Sequence, residues 1–204
     1  MGEVPIKALK TEIRPAFEPW KGSLYAQGFR GVRLLILGES QYSGSLLGAP
    51  ALPKADETYS TREFVEELGI GGPAKNRPFW TKVTRLVTGA QARADLRSEE
   101  RWNFWHRVAF YNYIQRWMPA GKRSISAELW AEAEEPFKEI VQRLEPEMLV
   151  VLSQRLAAHI PSVSGLKVVV TSHPAAVGFT YSPWQQRIAE GIAEAKKKKA
   201  PKPS

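Results

Sequence analysis

The amino-acid sequence predicts a three-layer α/β domain with a four-stranded parallel sheet between helices. Three observations point there. Four short apolar runs are near-continuous in Leu, Ile, Val and aromatic residues, as strands buried on both faces are. Helical patterns separate these runs, so each strand can be joined to the next by a crossover that returns it parallel. The 204 residues, 43% hydrophobic with seven Trp, eight Phe and six Tyr, suffice for one substantial core rather than two ordinary domains.

The first strand runs from Arg33 to Leu37 in "RLLILGESQY", where the apolar run stops at Gly38 and passes at once into Glu39, Ser40, Gln41 and Tyr42. Ser43 to Tyr59, rich in Gly, Ala and Pro, predicts a loop over one end of the sheet. Helices follow from Thr61 to Leu68, from Phe79 to Thr88 before Gly89, and from Ser98 to Phe104. Arg107 to Tyr113 is the second strand, Ala127 to Leu144 a long helix, and Met148 to Leu152 the third strand. Arg155 to His159 reads as a short helix, Leu166 to Thr171 as the fourth strand, and Pro183 to about Ala195 as the closing helix. The end "AKKKKAPKPS" predicts a disordered basic tail over 196–204, which leaves 1–195 as the single folded domain.

Composition narrows the chemistry. With no cysteine, disulfides, thiolate zinc sites and cysteine-held iron–sulfur clusters are excluded. Three histidines are a poor metal inventory, so no metal or cofactor is expected. The formal charge is +8, but Lys196 to Lys199 and Lys202 carry five of those charges, which leaves a mildly basic body. Such a balance suits contact with nucleic acid through one local patch, and equally a solvated surface with a solubilising tail. There is no apolar stretch of membrane-spanning length and no signal-type start, so a soluble, cytoplasmic monomer is expected, nucleoid-associated in a prokaryote.

In a sheet of this kind ligands collect beyond the carboxyl ends of the strands. The residues found there are Gly38 to Tyr42 after the first strand, Asn112 at the end of the second, Ser153 and Gln154 after the third, and His173 after the fourth. Asn112 offers a donor and an acceptor on a flat amide, able to match a nucleobase edge or simply to tie down a strand end. His173 can exchange a proton or hydrogen bond with a substrate oxygen, or serve structure alone. Glu39 at an apolar strand tip must find a partner, reach water or serve a site. Tyr42 and Phe79 supply flat walls or ordinary core.

Taken in order, these segments resemble the uracil-DNA glycosylase superfamily. "LLILGES" with Gln41 and Tyr42 is similar to the family's first motif, a strand followed by a Gly-Gln-Asp-Pro-Tyr or Gly-Glu-x-Pro-Gly turn. "RPFW" resembles the segment bearing the stacking aromatic, "FYNYIQ" the strand whose Asn reads the base, and "SHPAAV" the His-Pro-Ser motif. The resemblance spans roughly 33–184 and implies hydrolysis of the N-glycosidic bond to a base, uracil foremost, swung out of DNA. It makes His173, Glu39 and Ser40 the catalytic candidates, and Asn112, Phe79, Tyr42, Gly38 and Gln41 the base-binding ones. Ser153, Gln154, Pro174, Ala175 and Val177 would face DNA, with Val177 or Phe179 as the wedge that fills the vacated stack.

The chain also departs from the family. Ser40 stands where the best-known branch has its water-activating Asp, and Ala175 follows His173-Pro174 in place of Ser. Three alternatives therefore stay open. One is a non-catalytic binder of nucleic acid or nucleotides, and another a glycosylase for a different base such as a deaminated purine. The third is a GDS-type esterase with Ser40 as nucleophile and His173 as base, although Val170 stands where its Asp belongs and Phe110 and Tyr111 where its Gly is wanted.

Overall fold

The computed structural model describes residues 15–43, 61–71, 78–91, 96–119 and 124–199. A two-residue strand β1 (Trp20–Lys21) precedes the first buried strand, β2 (Leu34–Gly38), and β3 (Gln41–Ser43) follows directly. Next come α1 (Thr61–Phe64), a π-helical turn over Val65–Ile70, α2 (Pro78–Thr88) and α3 (Ser98–Trp105). The chain continues through β4 (Val108–Asn112), β5 (Trp117–Pro119), α4 (Ala127–Glu132) and α5 (Glu134–Leu144). β6 (Met148–Val151), α6 (Gln154–Ala157), β7 (Lys167–Val170) and α7 (Ser182–Lys199) complete it. Among the described residues no helix is long and apolar enough to cross a membrane.

All four expected strands form, and they pair in parallel in the order β4-β2-β6-β7. The sheet has five strands rather than four, because β1 adds to the outer edge of β4 in antiparallel sense. Its register is fixed by Trp20, which pairs with Phe110 and donates its indole N–H to the Trp105 carbonyl oxygen at 2.8 Å. A second, two-stranded parallel sheet joins β3 to β5 just past the tips of β2 and β4, with Gln41 opposite Trp117.

Alternation along β2 divides the core into two. Leu34 and Ile36 face Trp80, Val83, Leu86, Trp105, Ile188 and Ile192 on one side, while Leu35 and Leu37 face Tyr111, Phe137, Ile140 and Leu156 on the other. Helices α2, α3 and α7 thus cover one face and α4, α5 and α6 the other, which makes three layers. α7 lies close on the sheet at Gly191, where a Cβ would come within 2.8 Å of Met148 Cε and Val169 Cγ2.

Four expectations need correction. The helix expected over 127–144 is two, parted at Ala133 just ahead of Pro136, which is tolerated in the first turn of α5. The helix expected from Thr61 widens to π pitch after Phe64, closed by Gly71 N–H donating to Glu66 O at 2.8 Å. The lysine run is helical through Lys199, which reaches Glu147 at 3.1 Å; residues 200–204 lie outside the described residues. Ser43 is the last residue of β3 rather than the start of a loop, and the rest of the expected loop lies outside the described residues.

Candidate active site

β4 and β6 flank β2 on opposite sides, so the strand order reverses around β2, and in such sheets ligands bind beyond the carboxyl ends at this point. Gly38 ends β2 in register with Asn112. A Cβ at position 38 would stand 2.4 Å from Asn112 Oδ1, so the carboxamide occupies the space that the missing side chain leaves. Asn112 and Gln41 are 7% and 5% exposed. Asn112 Nδ2 donates to Gln41 Oε1 at 3.5 Å, and its carbonyl oxygen accepts from Gln115 Nε2 at 2.6 Å. Gln41 Nε2 and the neighbouring Ser40 Oγ are buried and have no hydrogen-bond partner among the described residues.

Glu39 is buried at the strand tip and both of its carboxylate oxygens meet Arg155, from Nε at 2.8 Å and from Nη2. This bidentate geometry supplies the partner that a buried carboxylate requires. The bond to Glu39 raises the Arg155 pKa above its ordinary value. Arg155 was not among the residues expected from sequence. The signal for it was the acid on an apolar strand tip, which needed a cation from some other strand end. Tyr42, half-buried, packs against the core cluster on the α4 to α6 side.

Pro78 opens α2, which turns Phe79 toward the last strand end, with its ring 5.7 Å from that of His173 at an interplanar angle of 33°. One turn on, Lys82 Nζ donates to Pro174 O at 2.9 Å and lies 5.8 Å above the Phe179 ring, tying α2 to the segment after β7. His173 Nδ1 accepts from Ala175 N–H at 3.1 Å, which places the ring proton of the neutral form on Nε2. Burial lowers the His173 pKa from 6.5; Glu39 opposes that shift, and Arg155 and Lys82 add to it. At neutral pH the residue is an uncharged Nε2–H donor.

Of the residues expected to face DNA, Gln154 and Ala175 are exposed, whereas Pro174 is buried. Ser153 is otherwise engaged: its Oγ accepts from Leu156 N–H at 3.3 Å as the N-cap of α6. Val177 is 105% exposed beside Gly178, whose φ is 73°, while Phe179 packs against Tyr181 and the core. The protruding side chain is therefore Val177.

The arrangement combines a flat aromatic face, a fixed carboxamide, an uncharged imidazole donor and a paired carboxylate. A serine-nucleophile device would require Ser40 Oγ bonded to an imidazole, and Oγ has no partner among the described residues. Among the described residues no group of three metal-ligating side chains occurs. Cavities of about 290 to 380 Å³ occur elsewhere on the molecule, lined by other residues. No protein-family model matches the chain, and no curated protein is significantly similar to it.

Proposed function

We propose that the protein hydrolyses the N-glycosidic bond of a deaminated base, uracil foremost, flipped out of DNA into the strand-end crevice. The observation that carries this reading is the His173 Nε2–H donor set beside Phe79 after β7, with the carboxamide of Asn112 at the carboxyl tip of β4 in the same sheet. Phe79 offers a face on which the extruded base stacks, worth about 1–3 kcal/mol against the few kcal/mol of unstacking that extrusion costs. Asn112 matches the polar edge of the base. Val177, free of the protein surface, is the side chain that fills the vacated position in the duplex.

In the reaction the bond between the sugar C1′ and the base nitrogen breaks, and its electron pair leaves with the base. Water adds to C1′, and the proton it gives up is taken, through solvent, by the departed base anion, giving an abasic sugar and the neutral free base. The imidazole Nε2–H stabilises the negative charge that grows on the departing base, and the Glu39 carboxylate, held by Arg155 at the same sheet end, is the anion available to the positive charge that grows on the sugar. Single-turnover base release from duplexes carrying uracil, hypoxanthine or xanthine tests the reading, and wild type inert on all three defeats it.

One observation favours a second reading, a non-catalytic binder of the same bases. Both Glu39 oxygens are engaged by Arg155, and Ser40 provides no carboxylate to orient water. Tight binding of uracil-containing DNA without release of the base would establish that alternative.

A further inference from the structure

We propose that Gln41 is a second base-reading residue, whose side-chain amide donates to an exocyclic carbonyl oxygen and so selects deaminated bases over their amino parents. The inference rests on the base-binding reading of the strand-end crevice and adds to it the residue that sets specificity.

Gln41 is 5% exposed, and its Nε2 has no hydrogen-bond partner among the described residues. Its Oε1 lies 3.5 Å from Asn112 Nδ2, with the NH₂ end on the other side of the amide. The backbone is pinned on both sides: Gln41 pairs with Trp117 in the small sheet, and Tyr113 and Ile114 N–H donate to Gly38 and Glu39 O at 2.9 Å each. The base of the side chain is therefore held at the strand end beside Asn112. Ser40 Oγ, one residue earlier, is also buried and has no partner among the described residues.

A buried donor left without an acceptor costs about 1–3 kcal/mol, and such groups are few in folded proteins. Two on consecutive residues, beside the carboxamide that Gly38 makes room for, mark a place completed by a polar ligand. An amide nitrogen only donates, so the ligand must present an acceptor there. Deamination makes that exchange: uracil has a carbonyl oxygen where cytosine has an amino group, and hypoxanthine has one where adenine has an amino group. Against the amino parent two donors would face each other, both stripped of water. Sites built to hydrogen-bond one group reject the analogue lacking it by far more than an apolar pocket does.

The test compares wild type with Gln41→Met, which keeps the length and removes the polar atoms, and Gln41→Glu, which keeps the size and removes both donors. Each is assayed for single-turnover release of base from uracil- and cytosine-containing duplexes. Free uracil and free cytosine are also titrated into ¹⁵N-labelled wild type while the Gln41 side-chain amide signals are followed. The uracil-over-cytosine preference should fall at least about tenfold in both variants. Because both substrates meet the same folded fraction, that ratio is insensitive to any loss of stability. Uracil, and not cytosine, should move the Gln41 amide signals. An unchanged preference in both variants overturns the inference while leaving the hydrolysis reading intact. Wild type that releases no base, yet whose Gln41 amide responds to uracil alone, upholds the inference and defeats hydrolysis. No release and no amide response overturns both.

Discussion

At the amino end of the parallel sheet, Arg33 Nε donates to Glu145 O and Arg33 N–H to Glu147 Oε2, both at 2.8 Å. Lys199 reaches Glu147 Oε1 at 3.1 Å, and Lys167 pairs with Glu194. At the carboxyl end, one five-residue strand or roughly 16 Å away, Ser40 Oγ and Gln41 Nε2 are buried without partners among the described residues, and an uncharged His173 stands against Phe79. The amino end is tied by ion pairs and backbone bonds within the protein, although Tyr25 Oη there is also buried without a partner among the described residues. The carboxyl end leaves donors for something else to meet, which is why function is assigned to it and stability to its counterpart.

The largest expected effect belongs to the carboxyl end. His173→Ala should slow base release by about 10²–10³, the usual loss for one charge-stabilising donor, with the melting temperature little changed. A folded variant that cleaves at the wild-type rate would remove His173 from the chemistry.

Charge removal sharpens the contrast. Arg155→Met leaves Glu39 buried and uncompensated, and should lower stability by about 1–3 kcal/mol; the half-exposed guanidinium keeps this below the cost for a fully buried pair. Adding Glu39→Gln should restore much of that loss in chemical denaturation. Lys199→Met at the amino end should cost less than about 0.5 kcal/mol, since Arg33 still serves Glu147. Equal losses at the two ends would erase the distinction.

The ends should also titrate in different windows. His173 binds its proton less readily when folded, so the unfolded chain takes up the proton first as pH falls below 6.5. Stability therefore declines from there toward the lowered folded value, by at most about 1.4 kcal/mol per pH unit. His106 is lowered by burial as well, so the measurement is the difference between wild type and His173→Gln. Burial pushes Glu147 up, but the Arg33 N–H and Lys199 outweigh it and hold the carboxyl below 4.5. Its contribution is present above that pH and is lost as pH falls from there through the lowered value. Denaturation midpoints across pH 5.5 to 7 should show the histidine step without the Glu147 one, so a Glu147→Gln difference already growing at pH 6 would contradict the assignment.

The smallest effect concerns the lysine run. Because α7 carries it back to the amino end, replacing Lys196, Lys197 and Lys198 with Gln should weaken salt-sensitive DNA association yet leave single-turnover rates at saturating protein unchanged.

Much of this was legible in the sequence, for identifiable reasons. β2, β4 and β6 announce themselves because burial on both faces demands unbroken apolar runs, whereas β7, at the sheet edge with Val168 exposed, reads as a strand from its three valines. Trp20–Lys21 is too short to show any period, so β1 went unseen. The step between α4 and α5 is hidden because Trp130, Ala133, Phe137, Ile140 and Leu144 keep helical spacing straight through it. Asn112, Phe79 and His173 were readable as strand-end or helix-start positions. Arg155 was not, since it meets Glu39 from 116 positions away and only the folded sheet brings them together. Ser153 was read toward DNA, although a Ser directly before a helix is first of all a cap.

The central claim is tested most directly by incubating excess protein with duplexes carrying a single uracil, hypoxanthine or xanthine, then cleaving abasic sites with alkali. Wild type should release uracil, and a folded Asn112→Ala variant should lose that release or change which base it accepts, because the base edge is no longer matched. Wild type that leaves all three duplexes intact would contradict the account.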